Sequence, residues 1–191
     1  MIKINDTVPD FEAEVYHDGA IKKMKLSKYK GKWVVLVFYP ADFTYVCPTE
    51  LEDTQSLYKE FKKLGAEVIS VSTDTVFSHK AWHDTSPAIK KVQYPMMADP
   101  TGKICKMFGV YIEEGGDAGL ALRGTFIVDP AGVLKTIEIH NNDIGRDASE
   151  TLRKLEAAKF VYDHPGGNVC PAGWQPGKKH IKKDLKLIGK I

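Results

Sequence analysis

Three cysteines, Cys47, Cys105 and Cys170, are the residues best suited to chemistry, and their surroundings differ. Cys47 follows a continuous apolar run, Trp33 to Tyr39, that ends at Pro40. Beyond it, Pro48 opens a segment in which Leu51, Leu57, Phe61 and Leu64 recur at helical spacing before Gly65. A buried strand leading into a helix of about four turns, from Pro48 to Leu64, is the implied order, with Cys47 at or beside the helix amino terminus. Unpaired amide N–H groups and the positive end of the helix dipole face that point, and both favour a thiolate. A free thiol is only ~3% ionised at pH 7, so full ionisation gains at most about thirtyfold in reactive species. A fast reaction therefore needs neighbours that also stabilise the transition state. Thr44 offers a hydroxyl that both donates and accepts. Pro40 can wall the sulfur from water. Arg123 opens a strand running through Phe126, and α/β topology allows that strand end to bring a cation toward Cys47.

Cys170 lies past the last helical pattern, in Gly166-Gly167-Asn168-Val169-Cys170-Pro171, where a mobile, exposed thiol suits attack on an oxidised sulfur. Cys105 sits in the helical segment Lys103 to Phe108 and reads as a packing thiol. An odd cysteine count argues against a closed intrachain framework and for a reducing, cytoplasmic compartment. Other thiol chemistries fail on spacing. Glu50 stands where a C-x-x-C pair needs its second thiol, and Asp53 where a cysteine phosphatase needs arginine. His79 and His83 are four apart but lack the glutamate of H-E-x-x-H and a third ligand; both read as solvated helix histidines, and no metal site is expected. There is no G-x-G-x-x-G and no phosphate loop.

The elements that must position these residues are legible. Phe11, Ala13 and Val15 alternate ahead of Asp18-Gly19, giving an opening hairpin. Glu67 to Thr73 is a second buried strand, and strand, helix, strand in this order implies a parallel crossover. Short helices are expected over Phe77–His83 and Gly102–Phe108. Thr125–Val128 and Val133–Ile139 flank the turn Asp129-Pro130-Ala131-Gly132. Leu152, Leu155, Ala158, Phe160 and Val161 mark a last helix ending before Pro165. The class is α/β, a mixed sheet with helices on its faces. Residues 178–191 carry six lysines and one aspartate, with Ile181, Leu185 and Ile188 spaced for a short amphipathic helix that docks on protein.

The chain has 191 residues with 27 basic and 25 acidic side chains, a net charge of +2, which marks no nucleic-acid binder. Apolar residues make up 43%, enough for a packed core. No run approaches the ~20 apolar residues of a membrane helix. The start, Met1-Ile2-Lys3-Ile4-Asn5-Asp6, lacks an apolar signal core, so no export signal is expected.

Phe38-Tyr39-Pro40-Ala41-Asp42-Phe43-Thr44-Tyr45-Val46-Cys47-Pro48-Thr49-Glu50 resembles the active-site signature of the typical 2-Cys peroxiredoxins, P-x-x-x-T-x-x-C. Ser70–Asp74, Lys80–Trp82, Asp99–Gly102, Arg123–Phe126 and Val169–Ala172 are similar to further segments of that family, across nearly the whole chain. Ile144–Ser149 and the ending Leu187–Ile191 resemble its bacterial branch, the alkyl hydroperoxide reductase C type. The resemblance implies a thioredoxin-like fold with an amino-terminal hairpin extension, residues 1–164, followed by an arm, 165–191, that carries the resolving cysteine. It implies Cys47 as peroxidatic and Cys170 as resolving cysteine, paired across two chains in the redox disulfide. Thr44 and Arg123 would hold peroxide and thiolate, Pro40 would wall the pocket, and Glu50 and Arg146 would support the polar network. A homodimer, five of which close into a ring, is implied, with a flavoprotein disulfide reductase or a thioredoxin-like protein as reductant. No haem, flavin or metal is implied. The activity expected is thiol-dependent reduction of hydrogen peroxide and organic hydroperoxides; a ring-forming chaperone or redox-relay scaffold is the alternative. One departure stands out. The loop Gly116–Ala121 lacks the family's Gly-Gly-Leu-Gly, and no Tyr-Phe pair follows Cys170, which implies a less locked arm.

Overall fold

The computed structural model describes residues 1–190, and Ile191 lies outside the described residues. Residues 1–148 form one compact unit and the chain from Ser149 onward a second. In this division the last helix groups with the arm, whereas the expected boundary at 164/165 follows the breaker residues.

The first unit is built on a seven-stranded sheet. Its strands are β1 (Glu12–His17), β2 (Ala20–Lys25), β3 (Trp33–Phe38), β4 (Ala66–Ser72), β5 (Met96–Ala98), β6 (Arg123–Val128) and β7 (Leu134–His140). Their order is β2-β1-β5-β4-β3-β6-β7. The opening hairpin turns at Asp18 and Gly19, both at positive φ, 52° and 71°, as a two-residue hairpin loop requires. β3 and β4 pair in parallel, β6 pairs antiparallel with β3, and β7 pairs antiparallel with β6. Every residue of β3, β4 and β6 is buried, Glu67 and Arg123 included, as in central strands covered on both faces. β5 carries only three residues behind Pro95, too few for a period to show; it pairs in parallel with β4 and antiparallel with β1.

The core on one face gathers Val34, Leu36, Phe38, Ile69, Val71, Phe108 and Phe126. Phe38, Phe108 and Phe126 meet with ring centroids 4.8 to 5.4 Å apart, two of the three pairs edge to face. Cys105 lies fully buried in the same cluster, on α4 (Lys103–Phe108), and Asp99 Oδ2 accepts its backbone N–H at 2.7 Å. Burial, with the Asp99 charge beside it, pushes the Cys105 thiol far up, so it is a packing group.

The helix expected over 48–64 is two: α1 (Cys47–Ser56) and α2 (Tyr58–Lys63), broken at Leu57 with φ −101° and ψ 5°. Ser56 Oγ donates to the Asp53 carbonyl at 2.6 Å, the acceptor that a continuing helix would offer to Leu57, and this back-bonding bends the chain. α3 (Val76–Thr85) contradicts the solvated reading of its histidines. His79 is 0% exposed, facing inward with Val76 and Trp82 at helical spacing, and His83 is half-buried with Nε2 3.2 Å from the Val92 carbonyl.

α5 (Ala148–Asp163), in the second unit from Ser149 on, is followed by the antiparallel pair β8 (Asn168–Val169) and β9 (Ile181–Lys182). Trp174 is buried, its ring 4.8 Å from Phe160, and Arg153 Nη1 donates to its carbonyl at 3.2 Å. The arm is thus folded. Cys170 is half-buried rather than exposed, with its thiol 3.7 Å from the Ala157 carbonyl. The amphipathic helix expected in the tail is absent among the described residues: Ile181 is in β9, a 3-10 turn spans Leu185–Leu187, and Leu185 and Ile188 are 85% and 74% exposed. Gly177 and Gly189 at positive φ and the β8–β9 pairing favour a looped course there over a helix.

The aromatic trio predicts the stability of the first unit. Phe108→Ala should cost about 3–5 kcal/mol by opening a cavity between Phe38 and Phe126. Equilibrium urea unfolding measures it, and a loss below about 1 kcal/mol would contradict this packing.

Candidate active site

Antiparallel pairing of β3 with β6 sets Val37 opposite Thr125, so the end of β3 lies beside the start of β6. The chain leaving β3 passes Pro40, buried, loops through 41–46 and enters α1 at Cys47; β6 starts with Arg123. Topology therefore brings a helix amino terminus and a strand's first residue to one spot. Cys47 is 0% exposed and Arg123 is buried. Arg123 Nη1 donates to Cys47 Sγ at 3.4 Å and to Glu50 Oε2 at 2.6 Å. No side chain caps α1, so the positive end of its dipole lies at Cys47 without a capping group.

Glu50 is one turn along α1 from Val46 and points the same way as Cys47. It is gripped from its other side by Arg146, in the connection between β7 and α5. Arg146 N and Nε donate to Glu50 Oε1 at 2.8 and 2.9 Å, and Nη2 to Oε2 at 3.0 Å. Arg146 Nη1 also donates to the Gly124 carbonyl at 2.8 Å and to Thr125 Oγ1 at 3.1 Å. Two glycines permit this approach. A Cβ on Gly124 would come within 2.7 Å of Val110 Cγ1, and one on Gly145 within 3.3 Å of Val46 Cγ1.

Burial works against the Glu50 carboxylate, yet the hydrogen bonds and charge of Arg146, with Arg123 beside it, outweigh burial and hold its pKa below the ordinary value. The cluster therefore holds two guanidiniums and one carboxylate around a sulfur. A thiolate completes the charge balance, and such an arrangement can split an oxidant whose leaving group takes up negative charge.

The structure places Cys47, Glu50, Arg123 and Arg146 together. Thr44 stands nearby in sequence, but its hydroxyl donates to the Ala41 carbonyl at 2.8 Å, leaving its oxygen lone pairs as acceptors. Cys170 belongs to the second unit.

Sequence reasoning missed the support beneath the 40–46 loop. Asp42, buried, accepts from the Tyr39 hydroxyl at 2.8 Å and pairs with His79 Nδ1 at 2.8 Å, while its backbone N–H donates to Asp74 Oδ2 at 2.8 Å. Burial and the Asp42 charge push the Tyr39 phenol well up, so it stays a donor. Burial, with Asp42 beside it, likewise raises Asp74. The helical spacing of His79 with Val76 and Trp82 was the available signal. Phe43 crosses the loop tip at φ 56°, a strained value for a side-chain-bearing residue, with its ring 6.0 Å from Trp82.

Residues 4–137 match the model of the AhpC/TSA family, and 158–190 that of the C-terminal domain of 1-Cys peroxiredoxin. Alkyl hydroperoxide reductase C of Pseudomonas aeruginosa is 52% identical over 100% of both chains, and that of Amphibacillus xylanus 50% identical over 100% of both. The crystal structure of Enterococcus faecalis AhpC superposes with a TM-score of 0.84 at 47% identity, covering 90% of this chain and 100% of that one. Reduced Plasmodium vivax 2-Cys peroxiredoxin superposes at 0.86 and 31% identity, covering 93% and 91%.

The Glu50 pairing sets a pH dependence. Its folded pKa is depressed, so the stability it contributes is present above about 4.5 and lost as pH falls through the lower folded value. Glu50→Gln should unfold at lower urea than the parent near neutral pH, and the gap should narrow below that window. An equal gap at both pH values would contradict the assignment.

Proposed function

The chain belongs to the AhpC/TSA family and is a thiol-dependent peroxidase of thioredoxin-like fold, and we propose that Cys47 is its peroxidatic sulfur, held by Arg123, Glu50 and Arg146. The observation that carries the site assignment is the buried Arg123–Cys47 contact of 3.4 Å on a guanidinium that Glu50 also holds. The Cys47 thiolate attacks one peroxide oxygen along the O–O axis. The S–O bond forms as the O–O bond breaks, and the departing oxygen leaves with the electron pair and is protonated to water or an alcohol. Hydrogen bonds from Arg123 strengthen as that charge develops. Thr44, its own proton committed to Ala41, accepts the peroxide hydroxyl, and Pro40 closes the pocket against water.

Cys47 is then a sulfenic acid. It condenses with Cys170 of a second chain, losing water and forming the intersubunit disulfide, and an external dithiol returns both to thiols. Cys170 is half-buried, and burial raises its thiol, so it rests protonated until the arm opens. Cys47 is fully buried, so the first turn of α1 must also unwind for the two to meet. Residues 1–164 act as the peroxidase body and 165–191 as the resolving arm. The working unit is a homodimer, five of which close into a ring; its reductant is a flavoprotein disulfide reductase or a thioredoxin-like protein. The three free cysteines support a cytoplasmic setting, and no helix among the described residues is long and apolar enough to cross a membrane. A chaperone or redox-relay scaffold would not need a reactive sulfur facing paired guanidiniums, and that reading is not favoured.

The mass of the covalent dimer formed without reductant after one equivalent of peroxide tests the cysteine roles. Cys47→Ser and Cys170→Ser should each abolish it, and Cys105→Ser should leave it intact. A dimer that persists in either of the first two would overturn the pairing.

A further inference from the structure

Glu50 fixes the sulfur-facing end of Arg123; its other end has a separate support. Arg123 Nε donates to the main-chain carbonyl of Asn142 at 2.9 Å. Asn142 lies in the same connection, 141–147, that supplies Arg146. One short loop thus sets both ends of the guanidinium, directly through Asn142 and through Arg146 by way of Glu50.

The two ends of that loop are held very differently. Five hydrogen bonds fasten Arg146 to Glu50, Gly124 and Thr125. Around Asn142 the bonds are mostly local. Asn141 Oδ1 accepts from Asp143 N at 2.9 Å, and the Asn141 carbonyl from Ile144 N at 3.1 Å. These shape a turn without fastening it to anything else. The Asn142 side chain reaches outward: Nδ2 donates to Asp117 Oδ2 at 2.9 Å, across 25 residues of sequence. Its Oδ1 is buried with no partner among the described residues, so the amide is held through Nδ2. Asp117 stands on a pinned turn. Its carbonyl accepts Leu120 N at 3.0 Å, and below it Gly119 N donates to Ile112 O at 2.8 Å and Ile112 N to Leu120 O at 2.9 Å.

We propose that Asp117 and Asn142 form a strut that positions Arg123 against Cys47. This rests on the reading of Arg123 as the cation serving the peroxidatic sulfur. The pair touches neither sulfur nor peroxide; it fixes the carbonyl that orients the guanidinium about Nε. If that carbonyl drifts, Arg123 turns and its contact with Cys47 loosens. Stabilisation of a developing oxyanion depends steeply on donor placement, so the loss falls on oxidation of Cys47 rather than on resolution by Cys170.

Single-turnover oxidation of Cys47 by hydrogen peroxide, in a Cys170→Ser background with mass detection of the product, tests the strut. Asp117→Ala should slow it about three- to tenfold, the scale of one solvent-exposed hydrogen bond. Asp117→Asn keeps an acceptor for Nδ2 and should stay within about twofold of the parent. Asn142→Asp sets two carboxylates face to face and should be slow. The swap Asp117→Asn with Asn142→Asp restores the bond with donor and acceptor exchanged and should recover the rate, which a mere packing role would not produce. Asp117→Ala at the parent rate, or a swap no faster than Asn142→Asp alone, would overturn the proposal. Arg123→Gln separates this from the underlying reading. If it is slow while Asp117→Ala is normal, only the strut fails; if it too runs at the parent rate, the reading of Arg123 fails.

Discussion

The buried contact between a sulfur and a guanidinium governs this structure. Charges are costly to bury singly, and the protein meets that cost by closing a small ionic circuit: Arg146 on Glu50, Glu50 on Arg123, Arg123 on Cys47. The carboxylate is what makes two adjacent guanidiniums tolerable. With Glu50 neutralising one of them, the remaining positive charge is directed at the sulfur. The circuit is a structural unit whose members cannot be exchanged one at a time without leaving an uncompensated charge.

The scaffold exists to hold that circuit at one point. β3 delivers the loop to Cys47, and β6, antiparallel to it, delivers Arg123 to the same end of the sheet. The Phe38, Phe108 and Phe126 cluster locks those two strands from one face. Above them, two loops do the aiming. The 40–46 loop is tied down through Asp42 to Tyr39, His79 and Asp74, and the 141–147 connection carries Arg146 and the carbonyl facing Arg123. Both loops rely on buried or half-buried polar bonds, because precise placement of a few donors needs directional contacts that apolar packing does not supply.

Much of this was legible in the residues. Continuous apolar runs announced β3 and the Asp18-Gly19 turn announced the hairpin, because these features are local and their periods are strong. Cys47 at a helix start, and Arg123 at the head of a strand, followed from order along the chain. What was not legible depended on tertiary contacts. β5 is too short to show a period. The break at Leu57 comes from a single serine hydroxyl competing for a helix carbonyl. The spacing of His79 with Val76 and Trp82 signalled an inward face, but its partner Asp42, 37 residues away, could not be read from the chain. The tail's helical spacing gave way to loop glycines and a two-residue strand pairing. Asn142 carries no motif at all; its part emerges only because its backbone carbonyl lies beside Arg123.

The most direct measurement is the second-order rate at which hydrogen peroxide oxidises Cys47 in the reduced protein, compared with free cysteine and with Arg123→Gln. The account predicts a rate far above that of free cysteine, beyond the roughly thirtyfold that ionisation alone provides, and a loss of about 10²- to 10³-fold when the guanidinium is removed. A native rate no greater than free cysteine, or one untouched by the substitution, would contradict it.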